Sequence, residues 1–564
     1  MRHQQDAHME GVMPNAQRLS VVDDEFISVS EGRIRIRIGA TIFMAVLLIV
    51  VLRLAEVSLF GAKQLRSALP QAITTTRADI TDRKGELLAT ALKTYSLYAE
   101  PRKIWNVEEA AQQILSVRPE LDGAVLRRRL SSDRAFVWIE RGLAPKERQA
   151  VFDLGQPGLA FREEPKRVYP RGKLASHIVG FTNVDMEGAA GSERAFDEAL
   201  SQDNAPALAL SVDMRVQFAL ADELQKGLEA FEADSNAGIV LNIKTGEILA
   251  LASLPNFDPN NPSATLPKTR FNHASMSTYD LGSVFKPLTM AMVLEEGAAS
   301  LSETYPVHKP FKVRDKFIRD DHPSKVALAM PEILAESSNR GTAMLALKLE
   351  EGAMQRYLKG LGLFDRVPFE LAESAKPQIQ ERWIDLTRVT VSYGHGISVT
   401  PLALATAIGA MLNDGLYVAP TLQMRDAANA PETRRVFSSS TSQTMRDMMR
   451  YVVTHGTGRR AAVHGYGVMG KTGTAEKPKE GGYDEKALVT SFVGAFPYTD
   501  PTYVVMISYD EPKAVEGTHG YATAGWNAAP TTGKIIERIA PMLGVQRRFG
   551  AQTMSVFGPE EALR

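Results

Sequence analysis

The sequence predicts a mixed fold of class α/β (α+β), with a helix-covered sheet preceded by a separate N-terminal region and one membrane helix. Three observations predict it. From about 231 to about 545, strand-like apolar runs alternate with apolar helical stretches, the pattern of a sheet packed by helices on both faces. From 61 to about 230, short β-like runs mix with charged helices such as Asn106 to Val117 and Asp213 to Ala230. An uncharged apolar run, Ile38 to Leu52, follows directly on Arg33, Arg35 and Arg37. With 564 residues and 44% hydrophobic content, the chain has room for several domains with large cores.

Taken in order, residues 1–37 read as a polar cytoplasmic tail with little order. Residues 38–60 read as a transmembrane anchor. The uncharged part is shorter than the ~20 residues of a full span, and Arg53 and Glu56 interrupt it before Val57 to Phe60. A cleavable signal peptide and a buried core helix are the competing readings. The first lacks a small-x-small cleavage pattern, and the region before it is long and mixed in charge. The second does not explain the basic residues on the N-terminal flank, which predict that end inside the cell. Arg53 falls near the outer interface, where a long side chain can snorkel to water. The reading adopted is an uncleaved anchor. Residues 61–230 then form one extracytoplasmic domain, residues 231–545 a second, and residues 546–564 a polar C-terminal tail.

Composition excludes several functions. Lys and Arg number 65 against 66 Asp and Glu, so no nucleic-acid partner is implied. The absence of cysteine rules out disulfides, thiolate metal sites and a Cys nucleophile. The ten histidines show no metalloprotease spacing, so neither a metal nor another cofactor is expected.

The chemistry is concentrated in three ordered triplets. Ser283-Val284-Phe285-Lys286 places a hydroxyl and an amine three residues apart, on one face if the segment is helical. A serine is a poor nucleophile until a base takes its proton. The run Val284 to Glu296 reads as a buried helix, and a lysine there loses hydration, so its pKa falls and the neutral amine becomes a base. Pro287 fits within the first turn, where its missing N–H breaks no helical bond. The helix start also leaves the N–H groups near Ser283 pointing outward, as half of an oxyanion hole requires. Ser337-Ser338-Asn339 alone would read as a polar helix cap. Lys-Thr-Gly occurs twice, and the copies differ in setting. Lys244-Thr245-Gly246 lies between two apolar β-leaning runs and reads as a hairpin turn with Lys244 in solvent. Lys471-Thr472-Gly473 is preceded by Gly470 and followed by Thr474 and Ala475, small residues that would let a substrate backbone approach a strand edge.

The ordered set is a signature of active-site-serine penicillin-binding proteins and β-lactamases. With it, the chain resembles the class B penicillin-binding proteins, most closely their cell-division (FtsI-type) members. Arg77 to Ala89, Arg167 to Gly172 with His177 and Gly180-Phe181, and Gly188, Gly191, Glu193, Phe196 and Leu200 resemble that family's three N-terminal motifs. The stretch Tyr393 to Pro401 also fits. Ala78 stands where the family usually has Gly, and Ser192 where an aliphatic residue is usual.

The resemblance implies a transpeptidase fold with an antiparallel-rich sheet in 231–545, carried on an elongated pedestal (dimerisation-type) domain in 61–230. It implies a single-pass protein of the inner membrane with its catalytic domain in the periplasm. The implied activity is a D,D-transpeptidase that cross-links peptidoglycan stem peptides at the septum and is inhibited by β-lactams. Ser283 would be the nucleophile and Lys286 the base. Ser337 and Lys471 would relay protons, and Asn339 would orient Lys286 and the substrate amide. The N–H groups of Ser283 and Thr474 would form the oxyanion hole. Thr472, Gly473 and Thr474 would bind substrate, the two hydroxyls at its terminal carboxylate. An FtsW-like glycan polymerase of the SEDS type and other divisome proteins are the implied partners. A hydrolase would need a base to deacylate with water, and no Glu can be assigned that role. The triplets do not separate division from elongation, nor a turning-over enzyme from a scaffold with a secondary site.

Overall fold

The computed structural model describes residues 38–52, 77–426, 428–479, 482–549 and the short segments 553–554 and 558–559. Residues 38–52 are helical with exposed side chains. Among the described residues, no helix is long and apolar enough to cross a membrane. The rest of the expected anchor, with Arg53 and Glu56, lies outside them.

In the N-terminal domain, strand β1 (Leu87–Ala99) is flanked antiparallel by β2 (Val137–Leu143) and β3 (Leu159–Val168). Helices α1 (Val107–Val117), α2 (Gly123–Leu130) and α3 (Pro145–Phe152) cover one side, burying Leu97, Ile114, Leu126, Leu130, Ile139 and Val151. Helix α1 starts where the sequence predicts, because Asn106 Oδ1 accepts the Glu109 N–H at 3.1 Å. The three N-terminal motifs, distant in sequence, close around one carboxylate. Glu193 is fully buried, and both its oxygens are held at 2.6 Å, one by Arg77 Nε and the other by Arg167 Nε. Both departures from the family pattern are buried beside it. Ser192 Oγ donates to the Ile178 carbonyl at 2.9 Å, and the Ala78 N–H to that of Leu200.

The C-terminal domain is built on a five-stranded sheet. Strands β4 (Ser235–Asn242), β5 (Ile248–Leu254), β6 (Met469–Lys479), β7 (Gly482–Phe496) and β8 (Tyr503–Asp510) lie in the order β6-β7-β8-β4-β5, every neighbouring pair antiparallel. The central strands are apolar without alternation because both faces are covered. Val240, Val505 and Ile507 face helices α4 (Met214–Ala230) and α9 (Ala528–Met542). Ile239, Leu241, Val504 and Met506 face α5 (Lys286–Glu295), α7 (Pro401–Leu412) and α8 (Ser439–His455).

The early Lys-Thr-Gly is the β4–β5 turn. Asn242 Oδ1 accepts the N–H groups of Lys244 and Thr245, and Gly246 has φ 76°. A Cβ at Gly246 would stand 2.2 Å from the Ala419 carbonyl oxygen. Lys244 is part-exposed and lies 3.4 Å from Asp500.

Removing the shared carboxylate of the N-terminal motifs strips the buried Arg167 guanidinium of its carboxylate partner and leaves buried Arg77 with Asp197 alone. Glu193→Ala should therefore destabilise the fold by about 3–5 kcal/mol. Glu163→Ala, which removes an exposed partner of Lys93, should leave stability nearly unchanged. Denaturant unfolding of the two variants against wild type checks the contrast.

Candidate active site

The Ser283 turn is set by close backbone packing. A single 3-10 turn, Gly282–Phe285, runs into α5, so Ser283 and Lys286 sit on consecutive turns at a helix start, with Pro287 in the first turn of α5. Leu281, Gly282, Val284 and Phe285 are buried, whereas Ser283 is part-exposed. Gly282 has φ 62°, and its N–H donates to the Gly394 carbonyl at 3.2 Å. On the other side, a Cβ at Gly282 would approach the Thr474 carbonyl to 2.9 Å, and one at Gly473 would approach that of Leu281 to 2.5 Å. The nucleophile's turn is thus wedged between β6 and the Tyr393-Gly394 segment. The space left by the missing side chain of Gly473 is filled by the protein's own backbone, so its smallness serves the nucleophile's turn.

Helix α6 (Asn339–Ala346) begins at the second triplet. Ser338 is its N-cap, with Oγ accepting the Gly341 N–H at 3.0 Å, so the capping reading is correct for that residue. Ser337 just before it has φ 63° and turns both its oxygens to Lys286. Lys286 Nζ donates to the Ser337 carbonyl and to Ser337 Oγ, the latter at 3.1 Å. Lys471 Nζ reaches the same Oγ at 3.0 Å and donates to the Thr472 carbonyl at 2.9 Å. One hydroxyl therefore joins two lysines from different elements. Both lysines are wholly buried. Burial pushes Lys286 down to about 7, against the opposing pull of Asp320 and Asp321. Lys471 is held well below its ordinary value by burial and by the charge of Lys286.

The structure brings Ser283, Lys286, Ser337, Lys471, Thr472 and Thr474 together. Thr474 Oγ1 accepts the Ala524 N–H at 3.1 Å, which leaves its hydrogen free to donate outward. Asn339 departs from expectation: its Nδ2 donates to the Arg319 carbonyl at 3.0 Å and makes no bond to Lys286. Two participants were not read from the sequence. Thr457 Oγ1 lies 2.8 Å from Thr472 Oγ1, and its N–H donates to the Ala335 carbonyl, tying the two sides of the site together. Asp320 binds the start of α6. A threonine between glycines and an aspartate just after a charged hairpin carry no motif that would have found them.

Comparison with known proteins decides the family. Residues 237–537, more than half of the chain, match the penicillin binding protein transpeptidase domain, and residues 72–204 match the penicillin-binding protein dimerisation domain. A Caulobacter vibrioides protein named "Probable peptidoglycan D,D-transpeptidase FtsI" is 40% identical over 86% of this chain and 84% of its own length. The chain is a class B penicillin-binding protein. The Neisseria gonorrhoeae protein named "Probable peptidoglycan D,D-transpeptidase PenA" is 33% identical over 84% of this chain and 86% of its own. The crystal structure of penicillin-binding protein 3 from Mycobacterium tuberculosis, complexed with aztreonam, shares the fold. Its TM-score is 0.66 at 23% identity, covering 84% of this chain and 98% of that one.

In this penicillin-binding protein the two Lys-Thr-Gly copies are distinguished by burial. Lys471→Ala should slow acylation by a penicillin by roughly two orders of magnitude or more, the scale of losing a charge-stabilising group. Lys244→Ala should stay within about twofold of wild type, as exposed substitutions do little. Paired acylation rates on the folded variants test this, and a larger loss at Lys244 would overturn the placement of the site.

Proposed function

We propose that this penicillin-binding protein is the septal peptidoglycan D,D-transpeptidase of its cell and a β-lactam target. The observation that carries the reading is the shared Ser337 hydroxyl, 3.1 and 3.0 Å from two buried amines beside the Ser283 turn. Relatives named peptidoglycan D,D-transpeptidase FtsI, including that of Escherichia coli at 28% identity, support it.

Ser283 Oγ attacks the carbonyl of the penultimate D-Ala in a stem peptide ending D-Ala-D-Ala, while neutral Lys286 takes its proton. Ser337 and Lys471 pass a proton to the leaving D-Ala amine. The N–H groups of Ser283 and Thr474 receive the oxyanion. The Thr472 and Thr474 hydroxyls bind the terminal carboxylate. Asn339, whose nitrogen is tied to Arg319, keeps its oxygen for a substrate N–H. An amine from a neighbouring stem then takes the acyl group from Ser283.

Residues 38–60 anchor the chain once in the inner membrane, with the catalytic domain periplasmic. An FtsW-like SEDS glycan polymerase is the partner, docked at the Arg53 and Glu56 face. The apolar run behind Arg33, Arg35 and Arg37, and the i,i+3 spacing of Arg53 and Glu56, support this.

Ser283→Ala should abolish covalent labelling by a fluorescent penicillin in a folded protein, and undiminished labelling would place the nucleophile elsewhere. In wild type the neutral fraction of Lys286 grows as pH rises through its value of about 7. The acylation rate should therefore climb across that pH and level off above it. Exchanging residues 38–60 for an unrelated membrane helix should preserve penicillin labelling but lose septation. Normal septation by that chimera would sink the docking proposal.

A further inference from the structure

A hairpin of Phe311–Val313 and Lys316–Ile318 leads into Arg319, Asp320 and Asp321 beside the start of α6. The Asp320 carboxylate takes three hydrogen bonds there. Ser338 Oγ donates to one oxygen at 2.9 Å, and the backbone N–H groups of Asn339 and Arg340 donate to the other at 2.5 and 3.0 Å. Carbonyls of the same segment hold the neighbouring side chains. Arg319 accepts from Asn339 Nδ2, and Ile318 from Arg340 Nε at 3.1 Å. The residue preceding this clamp is Ser337, at φ 63°, in the left-handed region that a serine seldom occupies. Such a conformation persists only where the surroundings over-determine it. It is also the conformation that turns the Ser337 carbonyl and hydroxyl to Lys286, and the hydroxyl to Lys471.

We infer that Asp320 is a positioning residue of the acyl-transfer reaction, clamping Ser337 between the two lysines and lending its negative charge to Lys286. This rests on the acyl-transfer reading of the site. The charged and titratable groups acting on Lys286 come from three elements: Lys471 on β6, Asp320 and Asp321 on the loop, and His395 after the helix Asp385–Ser392. Burial lowers His395 from its ordinary value and so disfavours its charged form. Of the four, only the two aspartates favour the ammonium form of Lys286, whereas burial opposes it. Asp320 alone of the two also binds the α6 start, because Asp321 is exposed and makes no hydrogen bond to it. Charge and clamp can therefore be separated by substitution.

The experiment measures the acylation rate of the full chain with a fluorescent penicillin from about pH 5.5 to 9. Wild type is compared with Asp320→Asn, Asp320→Ala and Asp321→Asn, and Ser283→Ala is the control. Asp320→Asn keeps the shape and loses the charge. Its ascending limb, which belongs to the Lys286–Lys471 pair, should move to lower pH by about half a unit or more, with the plateau largely kept. Asp321→Asn should move the limb the same way by less. Asp320→Ala should also lose the clamp and lower the plateau by roughly tenfold or more. A limb in Asp320→Asn that coincides with wild type, or a wild-type plateau in Asp320→Ala, overturns the inference. If Asp320→Ala fails to fold by thermal melting, the limb of Asp320→Asn decides alone. Undiminished labelling of Ser283→Ala would instead refute the acyl-transfer reading itself.

Discussion

Two lysine side chains, Lys286 and Lys471, are wholly withdrawn from water and meet at a single oxygen, Ser337 Oγ. Burying one ammonium is expensive and burying two together is worse, so the protein relieves the cost by releasing protons. That release is the catalytic asset, since a neutral amine beside Ser283 is what a serine nucleophile needs at neutral pH. The surroundings that enforce it are ordinary core. Helix α5 is buried from Lys286 to Val293, and β6 carries Lys471 on a sheet covered on both faces. Core packing and base strength are thus one physical fact, seen from the fold and from the site.

Holding three segments at one oxygen requires backbones to touch. Gly282, Gly394 and Gly473 let the turn of Ser283 pass between β6 and the Tyr393-Gly394 segment, where a Cβ on any of the three would lie within 3 Å of a carbonyl oxygen. The site is consequently positioned by main chain, the least deformable part of the structure. Thr457 adds a side-chain tie between the Ala335 and Thr472 sides of the same cleft.

The N-terminal domain repeats this logic with opposite charge. Glu193 is buried, and Arg77 and Arg167 close on its two oxygens, so each motif compensates the others. Asp82, from the first motif, accepts the Met214 N–H at the start of α4, one of the helices packed against the catalytic sheet. The buried ion cluster and the catalytic core are therefore joined through one helix terminus.

Much of this was legible in the sequence wherever the cause is local. Asn106 and Asp213 cap the helices they precede, and the Ser283–Lys286 spacing forms a helix start. Asn242 and Gly246 make the first Lys-Thr-Gly a turn, because each such interaction spans a few residues of one chain segment. The ordered triplets likewise named most of the residues that now surround one hydroxyl. The sequence did not disclose the left-handed Ser337, the clamp from Asp320, the tie from Thr457, the attachment of Asn339 to Arg319, or the true neighbour of Gly473. Each depends on an approach between segments whose separation in the chain carries no periodicity and no motif. Which Lys-Thr-Gly lysine entered the active site and which stayed at the surface followed the same division. Lys244 and Lys471 sit in the same triplet, and only the packing around them, with the water it excludes, made them chemically different.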